Sequence, residues 1–408
     1  MNDLLTGLNP PQEEAVQYGD GPLLILAGAG SGKTRALTRR VAWLIREHGI
    51  EPRRILAVTF TNKAAGEMRE RVEELLGSAD GLWVSTFPSA CVRILRREIP
   101  RLGYVARCAS SEDQDQEKLL KQVLKAMNIP EKSLKPRAAA ALIDSAEKQG
   151  LYPDAVPRND HYTELTARVY EQYQLRLQES NAVDFNDLLL LTLRLFEDVP
   201  EALQYWQDRF QYILVDEFQD TNKVQYQLVR MLADRHRNLC VVGDDDQSIY
   251  SWRGAEVGNI LGFEADFHGC KIIRLEQNYR SSQTILGAAQ AVVDKNIGRK
   301  GKELWTENPK GEPLTIETCP DDVEEGRFIA REIKRLKRAG RHLRDIAIFY
   351  RTNAQSRVLE ESLRSHNLPY VMFGGVKFYS RLEVKDVLAY LRLLVNPADS
   401  VSARRIIN

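Results

Sequence analysis

The chain contains one glycine-rich stretch that ends in a lysine–threonine pair, Ala27-Gly28-Ala29-Gly30-Ser31-Gly32-Lys33-Thr34. It follows an apolar run typical of a buried strand and precedes a helical pattern, the context that a phosphate-binding loop needs. Glycines let backbone N–H groups surround phosphate oxygens, and the helix N-terminus adds positive potential. We therefore expect residues 28–32 to cradle phosphates, Lys33 to reach the β- and γ-phosphates, and Thr34 to bind Mg²⁺. The strict pattern begins with Gly, and Ala27 departs from it.

Two acidic residues follow a second apolar run, Ile213-Leu214-Val215-Asp216-Glu217. Strands often end in acids, so this pair alone is a weak signal. Ligands of open α/β sheets bind at the carboxyl ends of the strands, however, and a phosphate loop lies upstream. The pattern then predicts that Asp216 holds Mg²⁺ through water and that Glu217 orients and deprotonates the water that attacks ATP.

A third stretch combines acids with aromatic residues, Val242-Gly243-Asp244-Asp245-Asp246-Gln247-Ser248-Ile249-Tyr250-Ser251-Trp252-Arg253-Gly254. Three acids after a strand usually form a solvated turn. Tyr250, Trp252 and Arg253 instead offer flat faces, which stack on nucleic-acid bases with little sequence preference. By spacing alone, Trp252 is equally compatible with a core position.

A fourth stretch places an arginine in a polar segment, Leu275-Glu276-Gln277-Asn278-Tyr279-Arg280-Ser281-Ser282. In isolation Arg280 would be an ordinary surface residue. Beside a nucleotide site, an arginine can reach the γ-phosphate and stabilise the charge that develops during phosphoryl transfer.

Short apolar runs alternate with helical patterns, which predicts an α/β fold with a parallel sheet covered on both faces. The strands are expected at residues 23–27, 55–60, 83–86, 212–215 and 239–242. More than a hundred mostly helical residues separate Thr86 from Phe210, far more than one crossover requires, on the order of a dozen residues. We interpret them as an inserted helical domain.

A second series of strands and helices begins near Lys271, with strands expected at residues 314–319 and 346–350. The Gly374-Gly375 pair is a candidate hinge before a further helix at residues 382–394. The predicted organisation has five parts. They are a first core at 1–87, an inserted domain at 88–210, the rest of the first core at 211–276, the first half of a second core at 277–373, and the start of a second inserted domain at 374–408.

The composition is that of a globular protein with balanced charge, 57 basic and 57 acidic residues in 408. Nucleic-acid binding would therefore need a local basic and aromatic track and not a uniformly positive surface. The five scattered cysteines form no metal-ligand pattern, which favours free thiols. Because neither a signal peptide nor a membrane span is visible, we expect a cytoplasmic protein without membrane association.

These four stretches together resemble the UvrD/Rep/PcrA family of superfamily-one DNA helicases, and the resemblance runs in order from Leu8 to Asn408. Further matching segments are Leu8-Asn9-Pro10-Pro11-Gln12, Thr59-Phe60-Thr61-Asn62-Lys63, Asp184-Phe185-Asn186-Asp187-Leu188 and Tyr350-Arg351-Thr352-Asn353-Ala354. Where the family commonly has Thr-Phe-His-Ser, this chain has Thr86-Phe87-Pro88-Ser89, and Pro88 offers DNA neither an imidazole nor a backbone N–H.

The resemblance implies roles for individual residues. Gln12 would read the adenine edge, Arg35 and Tyr279 would flank the base, Gln247 would sense the γ-phosphate, and Arg280 would be an arginine finger. DNA contacts are implied for nine positions, namely Thr59, Phe60, Asn62, Thr86, Tyr250, Trp252, Arg253, Arg351 and Asn353.

The resemblance also implies a P-loop NTPase with tandem RecA-like cores, the second incomplete, each with an inserted helical domain. Its expected ligands are ATP, Mg²⁺, single-stranded DNA and single-strand/duplex junctions. Repair or replication proteins are possible partners, and a monomer or weak dimer is expected. The activity would be 3′-to-5′ translocation and unwinding. As the family's later motifs are absent, we expect this chain alone to hydrolyse ATP slowly and not to unwind duplex.

Three alternatives stay open at this point. The chain could be a naturally short regulatory module that binds nucleotide and DNA, or a subunit of a helicase–nuclease. A small-molecule P-loop kinase is disfavoured by the aromatic residues and by the size of the inserted domain.

Overall fold

The computed structural model describes residues 3–105, 109–110, 113–373, 382–395 and 400–407. The chain divides into two compact units. The first unit comprises Met1–Gly311 and Asp386–Asn408, and the second unit comprises Glu312–Lys385. The strands are β1 (Leu23–Ala27), β2 (Ile55–Thr59), β3 (Trp83–Thr86), β4 (Ala109–Ser110), β5 (Ala182–Val183), β6 (Tyr212–Val215), β7 (Leu239–Gly243) and β8 (Lys271–Leu275).

The first eight helices are α1 (Pro10–Gln17), α2 (Lys33–Arg46), α3 (Asn62–Leu76), α4 (Phe87–Glu98), α5 (Asp113–Ala126), α6 (Pro136–Lys148), α7 (His161–Glu179) and α8 (Asp187–Asp198). The others are α9 (Pro200–Arg209), α10 (Lys223–Ala233), α11 (Gly258–Asp266), α12 (Gln283–Val293), α13 (Asp322–Arg338), α14 (Asn353–Ser365), α15 (Leu382–Val395) and α16 (Ser400–Ile407).

The first unit is built on a six-stranded sheet in the order β3-β2-β6-β7-β1-β8. Every neighbouring pair in it is parallel. All residues of β1, β2, β3, β6 and β7 are buried, as their apolar sequences require when helices cover both faces of a parallel sheet. The predicted α/β class and parallel sheet are confirmed. The strand that begins at Lys271 also belongs to this sheet, so the second series of strands and helices does not begin there as predicted.

The parallel arrangement brings the predicted site residues to one edge of the sheet. The phosphate loop follows β1, Asp216 follows β6, the acidic stretch follows β7, and the Arg280 segment follows β8. Phe60 follows β2 in the same way. Because parallel strands all end at the same edge, segments far apart in sequence meet there.

Two hydrophobic cores lie on the two faces of the sheet. One face packs against α2 and α3, through residues such as Leu37, Val41 and Met68. The other packs against α4, α8, α9 and α10, with Ile94, Phe196 and Trp206 fully or almost fully buried. Pro88 stands in the first turn of α4, where its missing N–H has no helical partner to lose.

The long helical segment between β3 and β6 therefore has two parts. Helices α4, α8 and α9 cover the sheet and share its core. Helices α5, α6 and α7 enclose a separate core that includes Leu120, Ile143, Tyr170 and Tyr173. The segment predicted at 88–210 as one inserted domain therefore includes helices that pack on the sheet as well as helices with a core of their own.

The second unit contains α13 and α14, which pack through a small core of Ala330, Ile333, Leu363 and Leu368. The two strands predicted at 314–319 and 346–350 are not formed, since neither run belongs to any β-ladder of the described residues. The side chains of Ile346 and Ile348, two residues apart, do pack on the small core, so the alternating apolar residues face it although no strand forms. A strand additionally needs a partner for its backbone groups, and two strands alone are marginally stable.

Other expectations concern the rest of the chain. The helix predicted at 382–394 is found as α15, whereas the candidate hinge Gly374-Gly375 lies outside the described residues. Cys91, Cys240, Cys270 and Cys319 are free thiols, whereas Cys108 lies outside the described residues. Among the helices of the described ranges, none combines the length and apolar character needed to cross a bilayer.

A cluster of three buried acids joins α6 to α8. Glu147, Asp184 and Asp187 are at most 4% exposed, and their carboxylate oxygens lie within 4.8 Å of one another. Their partners are neutral: Tyr173 Oη donates to Asp184 at 2.9 Å, and Gln174 Nε2 donates to Asp187 at 2.8 Å. Burial, reinforced by Asp184, raises the pKa of Asp187 to about 8, and burial also raises the pKa of Glu147.

This cluster predicts that the protein becomes less stable as the pH rises. When the folded pKa is raised, the native state keeps a proton that the unfolded state releases, so the free energy of unfolding decreases between pH 3.8 and about 8. The slope is up to about 1.4 kcal/mol per pH unit for each retained proton. Urea unfolding of Asp187→Asn at pH 5 and pH 8 should show a smaller decrease than the unsubstituted protein. Asp198→Asn, at an exposed carboxylate of α8, is the control, and equal decreases in all three proteins would contradict the prediction.

Candidate nucleotide and nucleic-acid site

The loop after β1 has the backbone of a phosphate cradle. Gly30 and Gly32 have φ values of 70° and 83°, in the left-handed region that glycine adopts without strain. Space is also restricted: a Cβ on Gly30 would lie 2.6 Å from Cβ of Arg280, and one on Gly32 would lie 2.6 Å from Nε2 of Gln12. Gly32 is the N-cap of α2, so the helix N-terminus points its free N–H groups into this loop.

Lys33 and Glu217 meet at the edge of the sheet. Nζ of Lys33 lies 3.3 Å from Oε2 of Glu217, and Nε2 of Gln219 donates to the same oxygen at 2.8 Å. The Glu217 side chain is 35% exposed, so it borders the open side of the site. Its backbone is left-handed, with φ 50° and ψ 46°, a conformation that costs a non-glycine residue about 1–3 kcal/mol and often marks a functional position.

Two further carboxylates make this edge electronegative. Burial, reinforced by Glu217 and opposed by Lys33, raises the pKa of Asp216 to about 6. Burial and Glu217, again opposed by Lys33, raise the pKa of Asp220 to about 6. Oδ1 of Asp220 is buried without a hydrogen-bond partner in the part of the chain that the structure describes. Carboxylate and hydroxyl oxygens are the ligands that a hard divalent cation such as Mg²⁺ prefers, and the unpartnered oxygen of Asp220 is a donor of this kind. Thr34, half-buried at the start of α2, stands beside Lys33 in sequence.

Gln12 already has protein partners on both sides of its amide. Its Nε2 donates to the carbonyl of Ser31 at 2.8 Å, its Oε1 accepts the Asn9 N–H at 3.1 Å, and the residue is 1% exposed. Gln12 thus supports the phosphate loop directly. The adenine contact implied for it stays a prediction, and that contact requires the amide to exchange or share these partners.

The aromatic residue implied to stack on the base is held by the N-terminal segment. Oη of Tyr279 accepts a hydrogen bond from Nδ2 of Asn9 at 2.8 Å and donates to Oε1 of Gln277 at 2.8 Å. The ring is 48% exposed, which leaves a face open to a ligand. Arg35 is also exposed and lies against the carbonyl of Thr6.

The segment after β8 is docked on the phosphate loop. The Tyr279 N–H donates to the carbonyl of Gly30 at 2.9 Å, and Nδ2 of Asn278 donates to the carbonyl of Ala29 at 2.6 Å. Oδ1 of Asn278 accepts the N–H of Arg280 at 2.9 Å, so the same side chain orients the arginine backbone. Arg280 is therefore adjacent to the phosphate loop in space, although 250 positions separate it from Gly30.

The residues between β7 and the aromatic positions form an acidic turn, residues 244–247. The N–H of Asp244 donates to Oε1 of Gln219 at 2.9 Å, which ties the acidic turn to Glu217 through one side chain. Nε2 of Gln247 donates to Oδ2 of Asp244. The γ-phosphate contact implied for Gln247 stays a prediction.

Three aromatic rings lie in one row beside this site. The rings of Phe60 and Tyr250 are stacked, with centroids 5.4 Å apart and planes at 23°, and Trp252 lies 6.3 Å beyond Tyr250. We call these residues the aromatic row. Trp252 is 62% exposed, which excludes the core position that its spacing left open. The side chain of Arg253 lies outside the described residues.

Other positions implied to contact DNA differ in accessibility. Asn62 is exposed at the start of α3. Thr59 and Thr86 are 2% and 8% exposed, and their hydroxyls donate to Thr61 O and to Ser89 Oγ. Arg351 and Asn353 belong to the second unit, where Asn353 begins α14. The DNA contacts implied for these residues stay predictions.

Several residues of the site were not singled out by the sequence. Asn278 and Gln219 each bridge two of the motifs, and Asn9 anchors Tyr279. Amide side chains at such positions are too common in sequences to be signals. Asn9 and Asn278 stand within the motifs quoted above, and Gln219 stands four residues after Val215, but the sequence assigned a role to none of the three.

The parallel sheet, the glycine-rich loop at the N-terminus of α2 and the acids after β6 define a P-loop nucleotide-binding protein. Comparison with known proteins agrees. Residues 8–268 match the UvrD/REP helicase N-terminal domain, and residues 273–408 match the UvrD-like helicase C-terminal domain.

The whole chain is also similar to proteins named ATP-dependent DNA helicase PcrA. It is 51% identical to that of Bacillus subtilis, 50% to that of Staphylococcus aureus and 49% to that of Staphylococcus epidermidis. Each alignment covers 100% of this chain and 56% of the relative, so the chain spans just over half the length of these relatives. The chain belongs to the UvrD/Rep helicase family.

Proposed function

We propose that this chain carries the nucleotide site and part of the DNA track of an ATP-driven motor. The motor moves 3′-to-5′ along single-stranded DNA and unwinds duplex at junctions during DNA repair or replication. The observation that carries the proposal is the position of the segment after β7. One end of this segment contributes Tyr250 to the aromatic row. At its other end, Asp244 is hydrogen-bonded to Gln219, which in turn is hydrogen-bonded to Glu217.

The chain's own residues suit the binding and hydrolysis of ATP. Gly30 and Gly32 give the loop the curvature to surround phosphates, and Lys33 places an ammonium at the carboxylate of Glu217. With phosphate present, Lys33 would turn to it and leave Glu217 to accept the proton of the attacking water. Thr34 and Asp216 would hold Mg²⁺, which when bound would neutralise charge on the phosphates.

The aromatic row suits single-stranded nucleic acid. Its rings are solvent-accessible, with Phe60 38% and Trp252 62% exposed, and they offer faces to unstacked bases. Such stacking contributes about 1–3 kcal/mol per base and tolerates any sequence, as a translocating motor requires. A nucleotide-dependent shift of the acidic turn would move Tyr250, three residues after Gln247, relative to Phe60.

The test is ATP hydrolysis by this chain with and without a single-stranded oligonucleotide, together with the DNA affinity of Trp252→Ala. We expect the oligonucleotide to increase the rate, and we expect Trp252→Ala to weaken binding about 10-fold or more because one stacking face is lost. Tyr162→Ala, at an exposed aromatic residue of α7, is the matched control. Binding of ATP and DNA without hydrolysis would instead favour a regulatory module, and unchanged affinity of Trp252→Ala would remove the aromatic row from the DNA track.

A further inference from the structure

The acid side chains of the acidic turn are buried, although three consecutive acids after a strand predict a solvated turn. The side chains of Asp244, Asp245 and Asp246 are 3%, 2% and 8% exposed. Burial of carboxylates without partners is strongly unfavourable, so their charges must be balanced inside the protein. The basic side chains that neutralise these carboxylates come from a segment for which the sequence analysis predicted no role.

That segment is a basic strap, residues 299–305, between α12 and the second unit. Nζ of Lys302 lies 2.7 Å from Asp244 Oδ1, 2.5 Å from Asp245 Oδ1 and 2.7 Å from Asp246 Oδ2, and its side chain is 2% exposed. Nη2 of Arg299 lies 2.8 Å from Asp246 Oδ2. Burial by itself lowers the pKa of Lys302, but the attraction of Asp244 and its two neighbours outweighs burial and raises that pKa.

The basic strap is also fixed to the nucleotide side of the site. Trp305 N–H donates to the carbonyl of Glu276 at 3.1 Å, and its carbonyl accepts the N–H of Asn278 at 2.7 Å. A Cβ on Gly28 would lie 2.2 Å from a methyl carbon of Leu304, so this side chain covers the start of the phosphate loop. The basic strap therefore spans the acidic turn, the phosphate loop and the Arg280 segment.

A continuous chain of polar contacts leads from Lys302 to the phosphate-binding lysine. Lys302 contacts Asp244, and Asp244 accepts from Gln247 and donates its N–H to Gln219. Gln219 in turn donates to the Glu217 oxygen that faces Lys33. The carboxylate of Asp244 thus binds both Lys302 and the amide of Gln247, and the position of one constrains the other.

We propose that Lys302 is a positioning residue that fixes the acidic turn, and with it Gln247 and Glu217, so that DNA at the aromatic row accelerates hydrolysis at the nucleotide site. A single ammonium suits this task, because three oxygens converge on one point. A planar guanidinium would reach the same oxygens only in a different arrangement. The proposal rests on the proposed function, since it assigns Lys302 to the coupling of its two activities.

The test compares Lys302→Met with Lys121→Met on α5, whose exposed ammonium lies 4.0 Å from Glu131. We expect Lys302→Met to lower the DNA-stimulated kcat at least about 10-fold and to change the affinity for a fluorescent ATP analogue less than about 3-fold. Lys121→Met should change neither. Lys302→Arg should recover only part of the rate, because the guanidinium restores the positive charge but cannot contact all three carboxylates from a single point.

A second measurement does not depend on turnover. Amide hydrogen exchange in residues 243–254 should be at least about 10-fold faster in Lys302→Met, while exchange in β1 stays the same. If Lys302→Met does not fold, the double variant Lys302→Met with Asp245→Asn removes one uncompensated carboxylate and takes its place in both measurements.

The outcomes separate the two proposals. An unsubstituted chain whose hydrolysis is not stimulated by DNA contradicts the proposed function, and hydrogen exchange then decides the role of Lys302 alone. A stimulated unsubstituted chain with normal kcat and normal exchange in Lys302→Met, or in the double variant, overturns the positioning role and leaves the proposed function intact. Equal loss of kcat and of nucleotide affinity would mean that Lys302 only supports the fold.

Discussion

Replacement of Glu217 by Gln is expected to lower DNA-stimulated ATP hydrolysis by about 10²–10⁴-fold, the range typical of a lost general base. The amide keeps the shape of the side chain and can still contact Gln219, but it cannot accept a proton. Since the Lys33 ammonium lies 3.3 Å from the carboxylate, the variant also frees Lys33 from an ion pair. Nucleotide affinity should therefore stay equal or increase.

The measurement is steady-state hydrolysis with saturating oligonucleotide, alongside equilibrium binding of a fluorescent ATP analogue. Glu73→Gln, at an exposed position on α3, serves as the matched control and should behave as the unsubstituted chain. If Glu217→Gln retains more than about a tenth of the stimulated rate, another group accepts the proton. Asp220, partly buried beside it with a raised pKa, would then be the next residue to substitute.

Replacement of Arg280 by Ala is expected to lower the stimulated rate by about 10³-fold or more, the range that arginine fingers contribute. The structural basis is the docking of its segment on the phosphate loop through Asn278 and Tyr279. Because these contacts come from the side chain of Asn278 and the N–H of Tyr279, truncation at Arg280 should leave the segment in place. The loss should then appear in kcat, with a small effect on nucleotide affinity.

Two variants make this result specific. Arg280→Lys keeps the charge but loses the fork of donors, so its rate should lie between those of Arg280→Ala and the unsubstituted chain. Arg230→Ala removes an exposed arginine from α10 and should have no effect. A rate of Arg280→Ala within about 10-fold of the unsubstituted chain would show that Arg280 does not act on the transferred phosphate in this chain.

The sequence by itself determined the local structure and the chemistry of the first core. The apolar run before Gly28 predicted β1 with its observed bounds, and the acids after Val215 were correctly expected at the end of a buried strand. These inferences depend on periodicity and on turn chemistry, which act over a few residues. The motifs also indicated the family, which the comparisons then showed.

The tertiary structure decided everything that depends on which segments become neighbours. The order of the six strands brings Arg280 to Gly30, Phe60 to Tyr250 and Lys302 to the acidic turn. No periodicity encodes these pairs, because each joins residues more than 50 positions apart and depends on how β1, β2, β7 and β8 are arranged in the sheet.

Tertiary structure also decided which acidic residues are buried and which strand-like runs form strands, and the sequence patterns did not show either. Acids in the acidic turn and at Asp187 are buried, although acidic residues are ordinarily exposed, because neighbouring elements supply an ammonium in one case and neutral donors in the other. Conversely, the β-like runs at 314–319 and 346–350 form no strand. A strand is stabilised by backbone hydrogen bonds to a neighbouring strand. The sequence of a segment can favour the extended conformation, but whether a neighbouring strand is available depends on the rest of the fold.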